Sequence, residues 1–404
     1  MKHATSTLRR ARAWWRTGLL LALLGGCGGG VDSGGTGGAT VTYANGPING
    51  YGSIIVNGVR FDDNSPTLSV SDEDGPRGKD ALKLGMVVEV RGSAIVTDAS
   101  GARSSTATSI SFSSELVGPI RLIDLTSQTL NVLGQTVEVK LATVFDETLP
   151  GGLTALAVDN IVEVYALYNA ADNLYVATRI ERKSPGPAQF RIRGKVSGLN
   201  TNNKTFMFGT ELIDFSALAP NEVPTTLVNG AIVRVRVYPL QSGGAWTATR
   251  LRDGLDLPDN GAHAQVEGFI GNFSANGSIA QFSIGGVSIA TNANTIVSPP
   301  GATLAAGLRV EVEGSFANGV LIAERVELED DLDPPKFDLR GPIEDFNPTD
   351  LTIRVRGQVV SYASTPEYVP AGSSESNLAP GVSVEVKATL VGGNRLQATR
   401  IEFK

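Results

Sequence analysis

Apolar and polar residues alternate over runs of four to eight along most of the chain, the period of half-buried strands rather than of helices. The runs recur in a fixed order. Five times a short apolar strand carries a central glycine: "NGPI" at Gly46, "VGPI" at Gly118, "IRGKV" at Gly194, "VEGFI" at Gly268 and "LRGPI" at Gly341, at intervals of 72, 76, 74 and 73 residues. A second run follows in each unit, around Glu89, Glu163, Arg234, Glu311 and Glu385. A third closes it: "ATSI" at Ala107, "ATRI" at Ala177, "ATRL" at Ala248, "AERV" at Ala323 and "ATRI" at Ala398. Three anchors in constant order define an internal repeat of about 73 residues.

Between the first and second anchors the turn signals "VNGV" at Asn57-Gly58, "LGQT" at Gly134-Gln135 and "IGGV" at Gly285-Gly286 predict tight hairpins, because glycine and Asn-Gly supply the positive φ angles such turns need. A less regular stretch follows, either a short helix or a loop, before the two anchors that supply strands four and five. Five strands with the long connection between the third and fourth is the plan of the OB-fold, a small Greek-key barrel. An immunoglobulin-like sandwich would want about seven strands and roughly 100 residues per unit. The expected fold is therefore all-β: five tandem OB-like barrels at residues 44–114, 115–184, 188–254, 263–329 and 335–404. Acidic, proline- and glycine-rich linkers at Lys183, Asp253 and Asp330 separate the later units. Units one and two meet at "SSELVG" with almost no spacer, which leaves them able to pack as a pair.

The N-terminus departs from this pattern. Lys2, Arg9, Arg10, Arg12 and Arg16 precede an apolar run, Gly18–Leu24, that is too short to span a bilayer. That is a signal-peptide layout, residues 1–26. Leu24-Gly25-Gly26-Cys27 resembles the lipobox of bacterial lipoproteins, which implies that Cys27, the single cysteine, becomes a lipid-bearing mature N-terminus. By the same resemblance Gly28, where an inner-membrane protein would carry aspartate, implies the outer membrane of a Gram-negative envelope. Residues 27–43 are glycine-rich and read as a flexible tether.

Loss of residues 1–26 leaves 29 Lys and Arg against 41 Asp and Glu, a net charge of −12. An acidic body is repelled by nucleic acid phosphates, so nucleic acid is excluded as a partner. With no other cysteine the fold has no disulfide.

"GSIIVNGVRFD", "LKLGMVVEVRG" and "VGPIRLIDLTSQTLNVLGQTVEV" resemble a bacterial lipoprotein tandem-repeat family, domain of unknown function 5666. The likeness is clearest over residues 45–185 and implies architecture and address, with no activity attached.

Candidate chemistry is sparse. His263, the one histidine outside the signal segment, reads as a linker residue on the surface. No Gly-x-Ser-x-Gly elbow, Walker A loop or His-Glu-x-x-His helix occurs. No cofactor or metal is expected. Two acidic clusters, "SDEDG" at Asp72, Glu73 and Asp74 and "ELEDDLD" at Glu327, Glu329, Asp330, Asp331 and Asp333, read as solvated turns without the alternating ligands of a calcium loop. Trp246 is expected to pack at a barrel edge. Arg179, Arg250, Arg325 and Arg400 each follow a third-anchor alanine by two positions. They should pair across strands with Glu163, Glu311 and Glu385; the competing expectation is a row that binds an anionic ligand. The whole reads as a non-enzymatic, lipid-anchored row of barrels facing an envelope protein or glycan. The alternative is a carboxylate-dependent hydrolase or accessory protein acting on glycan.

Overall fold

The computed structural model describes residues 41–254, 257–277, 279–329, 336–391 and 395–404. Cys27, the signal segment, most of the tether, and Asp330, Asp331 and Asp333 lie outside the described residues. Among the described residues there is no α-helix, and the only helical turns in the third-to-fourth connections are single 3-10 turns in repeats 1, 2, 3 and 5, at Lys79–Ala81, Gly152–Ala155, Pro220–Glu222 and Glu375–Asn377.

Repeat 2 shows the plan. Its strands Leu116–Asp124, Thr129–Val132, Gln135–Phe145, Ile161–Asn169 and Leu174–Arg182 pair in the order one-two-three-five-four-one, with the third and fifth parallel and the rest antiparallel. This is the closed OB-type barrel. The other four repeats close the same way, the first strand of repeats 1 and 3 being broken into two pieces. Repeats 1, 4 and 5 add a short strand, Ser69–Asp72, Ile296–Ser298 or Glu367–Val369, parallel to the fifth.

The first-anchor glycine recurs because the second-to-third hairpin lies directly over it. A Cβ at Gly46 would sit 2.2 Å from Asn57 Oδ1, and one at Gly118 would sit 2.5 Å from Leu133 Cδ1. The hairpin turns carry positive φ at Asn57-Gly58 and Gly285-Gly286 as expected. In repeat 2 the turn falls one residue early, at Leu133-Gly134, since Val132 and Gln135 pair across it.

The third anchor encodes a β-bulge. Ala177 and Ile180 both face the core, yet they are three residues apart, an odd step that strict alternation cannot accommodate. The extra residue, Thr178, is absorbed as a bulge between the pairs Ala166↔Ala177 and Tyr165↔Arg179. The same step occurs in every repeat, at Thr108, Thr249, Glu324 and Thr399. Three of these threonines donate back across it, Thr108 Oγ1 to Arg91 O at 3.0 Å, Thr249 Oγ1 to Arg236 O at 3.3 Å and Thr399 Oγ1 to Lys387 O at 3.0 Å. The bulge also turns the following arginine outward.

The repeats do not form a row. The first strand of repeat 1, Thr42–Pro47, pairs in parallel with that of repeat 4, from Thr42↔His263 to Asn45↔Val266. Its continuation, Gly50–Tyr51, pairs in parallel with repeat 5 at Asp338 and Leu339. Glycine permits this approach: Cβ atoms at Gly50 and Gly52 would fall 2.3 and 2.4 Å from the carbonyl oxygens of Asp338 and Arg340. Repeats 2 and 3 join through Leu116↔Ile192 and Val117↔Arg191. The apolar interior follows these seams. One cluster spans repeats 1 and 5, a second spans repeats 2 and 3, and the core of repeat 4 includes Tyr43 of repeat 1, edge-on to Phe316 at 6.4 Å. Repeat 2 reaches the repeat 1 core with Val144 and Tyr165, so that pair does pack.

Two single residues also differ from expectation. Trp246 is 2% exposed in the interior of repeat 3, edge-on to Phe190, with Nε1 donating to Glu211 Oε2 at 2.6 Å. A ring that large is buried where one polar partner satisfies its only donor. His263 opens a strand rather than lying in a linker, half-buried, with Nε2 2.9 Å from Glu313 Oε1.

Candidate functional site

The four recurring arginines do not share a groove. Arg179 is buried at the seam with repeat 1, its Nε 2.6 Å from Glu181 Oε1 and its Nη1 donating to Leu84 O at 3.1 Å. Arg325 pairs with Glu327 at 3.0 Å, and Arg400 with Glu402 at 3.2 Å and Glu367 at 3.6 Å. Arg250 is exposed and makes no hydrogen bond or ion pair among the described residues. The expected partners Glu163, Glu311 and Glu385 are not used. The register sets these acids opposite Glu181, Glu327 and Glu402, while Arg179, Arg325 and Arg400 face Tyr165, Glu313 and Lys387. Each arginine therefore takes the acid two residues further along its own strand.

Opposed glutamates need a cation between them, and repeats 2 and 5 supply one. Lys183 Nζ bridges Glu163 at 2.5 Å and Glu181 at 2.8 Å, and Lys404 Nζ bridges Glu385 at 2.9 Å and Glu402 at 2.6 Å. Repeat 4 carries Glu329 where those repeats carry lysine. Burial, then Glu267 and Glu329, push the Glu311 pKa up to about 8. Glu311 lines a cavity of about 290 Å³ where repeats 1, 2, 4 and 5 meet, together with Glu267, Glu329 and Arg309. Arg309 Nε donates to Glu267 Oε1 at 3.0 Å.

The "SDEDG" turn is not a solvated loop. It reaches from repeat 1 onto an arginine face of repeat 3, which the sequence signals only by the Arg234 that replaces glutamate in the second anchor. Glu73 lies 3.3 Å from Arg234 Nη1 and 3.4 Å from both Arg236 Nη2 and Arg252 Nη2. Asp74 pairs with Arg191 at 2.5 Å and with Arg236. Burial opposes the Glu73 carboxylate, but Arg234, a hydrogen bond from Ser113 and the charges of Arg252 and Arg191 hold its pKa below the usual range. Its oxygens are committed to guanidinium groups. Among the described residues no three His, Cys, Asp or Glu side chains are placed to hold a metal ion.

The largest of the clefts described here, about 870 Å³, opens between repeats 1, 2 and 5. Tyr51, Phe145, Arg179, Arg354 and Gln358 are on its wall, where basic and acidic side chains are nearly balanced.

Residues 117–181, 259–327 and 340–402 match the domain of unknown function DUF5666. Three tandem segments of the chain thus match one family model. The matched segments fall on repeats 2, 4 and 5, and repeats 1 and 3 close the same kind of barrel outside the matches. No curated protein matches the chain. Among solved structures, drosophila Unr CSD456 is 12% identical over 52% of this chain and 96% of that one, with a TM-score of 0.14. With so loose a superposition, the fold of the five repeats rests on their strand pairing.

Proposed function

We propose that this chain is a non-enzymatic binding protein of the cell envelope, held at the outer membrane by lipid on Cys27, with a glycan strand as partner. The cleft between repeats 1, 2 and 5 supports this reading most directly. It is built only when three repeats come together, and its wall mixes aromatic faces, amides, hydroxyls and nearly balanced charge, which suits a neutral polar chain better than a polyanion. Val359 lines it from a half-exposed position. Val359→Trp should therefore fill the cleft without disturbing a core. Wild type is expected to co-sediment with isolated cell-wall glycan and the variant to lose that property; equal retention of both would sink the reading. For the anchor, Cys27→Ala should abolish acyl-dependent partition into detergent.

A second reading, glycan hydrolysis, is favoured by one observation. Glu311 stands across the strand pair from Glu267, and the two environments differ: Glu311 keeps its proton at neutral pH while Arg309 clamps Glu267. Separated carboxyl environments are how one site holds an acid and a base. New reducing ends from cell-wall glycan, lost in Glu311→Gln, would favour it over binding alone.

A further inference from the structure

Repeat 3 sets six arginines on three neighbouring strands in two rows. Arg191, Arg236 and Arg250 lie directly opposite one another, and so do Arg193, Arg234 and Arg252. Like charges facing each other across a sheet are destabilising, so acids must be brought in from outside. Most of the block receives them. Glu115 takes Arg193 and Arg234, Glu73 takes Arg234, Arg236 and Arg252, and Asp74 takes Arg191 and Arg236. The compensation stops at one end. Arg250 has no partner among the described residues, and Arg236 Nε is buried without an acceptor.

The other repeats neutralise the arginine at this place by two devices, and repeat 3 has neither. Repeats 2, 4 and 5 carry Glu181, Glu327 or Glu402 two residues further along the strand, where repeat 3 has Arg252. Repeat 5 adds Glu367 from its extra strand, and repeat 3 has no such strand beside Arg250 among the described residues. The charge of Arg250 is opposed first by Arg252 and, after partial burial, by Arg236, which lowers its pKa. Arg252, two residues along the same strand and at the matching end of the other row, keeps its side chain 37% exposed while it pairs with Glu73.

We propose that Arg250, with Arg252 and Arg236, forms a seat for a tetrahedral oxyanion of the phosphate monoester type. Guanidinium forks match such an anion through paired N–H donors, and one anion there would neutralise the open end as glutamate does in the other repeats. The chain as a whole is acidic, so general attraction of anions would not produce binding at this face alone. The seat lies on repeat 3, apart from the cleft between repeats 1, 2 and 5, and stands or falls independently of the glycan reading.

The test is titration of the full chain with inorganic phosphate, followed by phosphorus NMR, alongside flotation with phosphatidylcholine vesicles with or without phosphatidic acid. Binding of phosphate identifies a free anion, and flotation only with phosphatidic acid identifies a lipid headgroup. In whichever arm binds, Arg250→Gln is expected to weaken the interaction at least tenfold. Arg325→Gln, the same strand position in repeat 4, should leave it unchanged. Because Arg250 is exposed and its charge is opposed by Arg252 and Arg236, a melting temperature of the variant no lower than that of wild type serves as the folding control. No binding in either arm, unaltered binding by Arg250→Gln, or equal loss in Arg325→Gln would each overturn the proposal.

Discussion

Arg193 Nη1 lies 2.9 Å from Glu115 Oε2, and the two side chains, 8% and 5% exposed, form the most deeply buried ion pair of the described residues at the seam between repeats 2 and 3. Arg193 also donates through Nε to Gly254 O at 3.1 Å and through Nη2 to Gly285 O of repeat 4 at 2.5 Å. A guanidinium so committed cannot leave when its carboxylate is removed. Glu115→Ala should therefore cost about 3–5 kcal/mol, the penalty of an uncompensated buried charge. Urea denaturation of single variants and of Glu115→Leu with Arg193→Met checks this, the double replacement recovering much of the loss.

Gly118→Ala should lose about 1–3 kcal/mol by overpacking, because its Cβ would fall 2.5 Å from Leu133 Cδ1 and Cγ. Leu133→Ala makes room, so the two substitutions together should cost less than their sum. Additive melting-temperature losses would contradict the proposed contact.

Thr399→Val removes the hydroxyl that bonds across the repeat 5 bulge and should cost about 0.5–1.5 kcal/mol. Thr178 occupies the same place in repeat 2, but its Oγ1 has no partner, so Thr178→Val is expected to be neutral or stabilising. Thermal denaturation of the two variants side by side distinguishes them.

Glu311 gives stability a pH dependence of definite sign. Its folded-state pKa, about 8, stands above the ordinary 4.5, so the folded chain keeps a proton that the unfolded chain releases. This carboxyl therefore weakens the fold progressively as pH rises from about 4.5 to about 8, and adds no further loss above that. Glu311→Gln should flatten the denaturation midpoint across that window and be more stable than wild type at its upper end. Parallel profiles for the two proteins would refute the assignment.

The barrel was legible because its signals are local. Alternation, the central glycine and the turn pairs all act within one repeat, whereas the bulge at Thr178 shows only once Ala177 and Ile180 are both known to face the core. The contacts between repeats were not legible, because their partners are far apart in sequence: Asp74 meets Arg191, and Tyr43 meets Phe316. A charge cluster read alone looks like a solvated turn. The arginine substituted at Arg234 was the available clue, since a strand that reverses the sign of its outward charge must face something different from its siblings. The pairing of Glu163, Glu311 and Glu385 with arginine failed for a narrower reason: the bulge shifts register by one, bringing glutamate against glutamate. The candidate cleft and the Glu311 cavity belong to no single repeat, so no motif within one could announce them.

The parallel strand pair between Thr42 and His263 also sets a timetable. Those partners are 221 residues apart, so the first strand must wait for a long stretch of chain to arrive before it finds its partner. Through that interval the leading barrel has an unpaired edge and Tyr43 lacks its aromatic neighbour. That strand is thus the repeat 1 edge most open to wrong pairing, and a chaperone would have to shelter it until repeat 4 is in place.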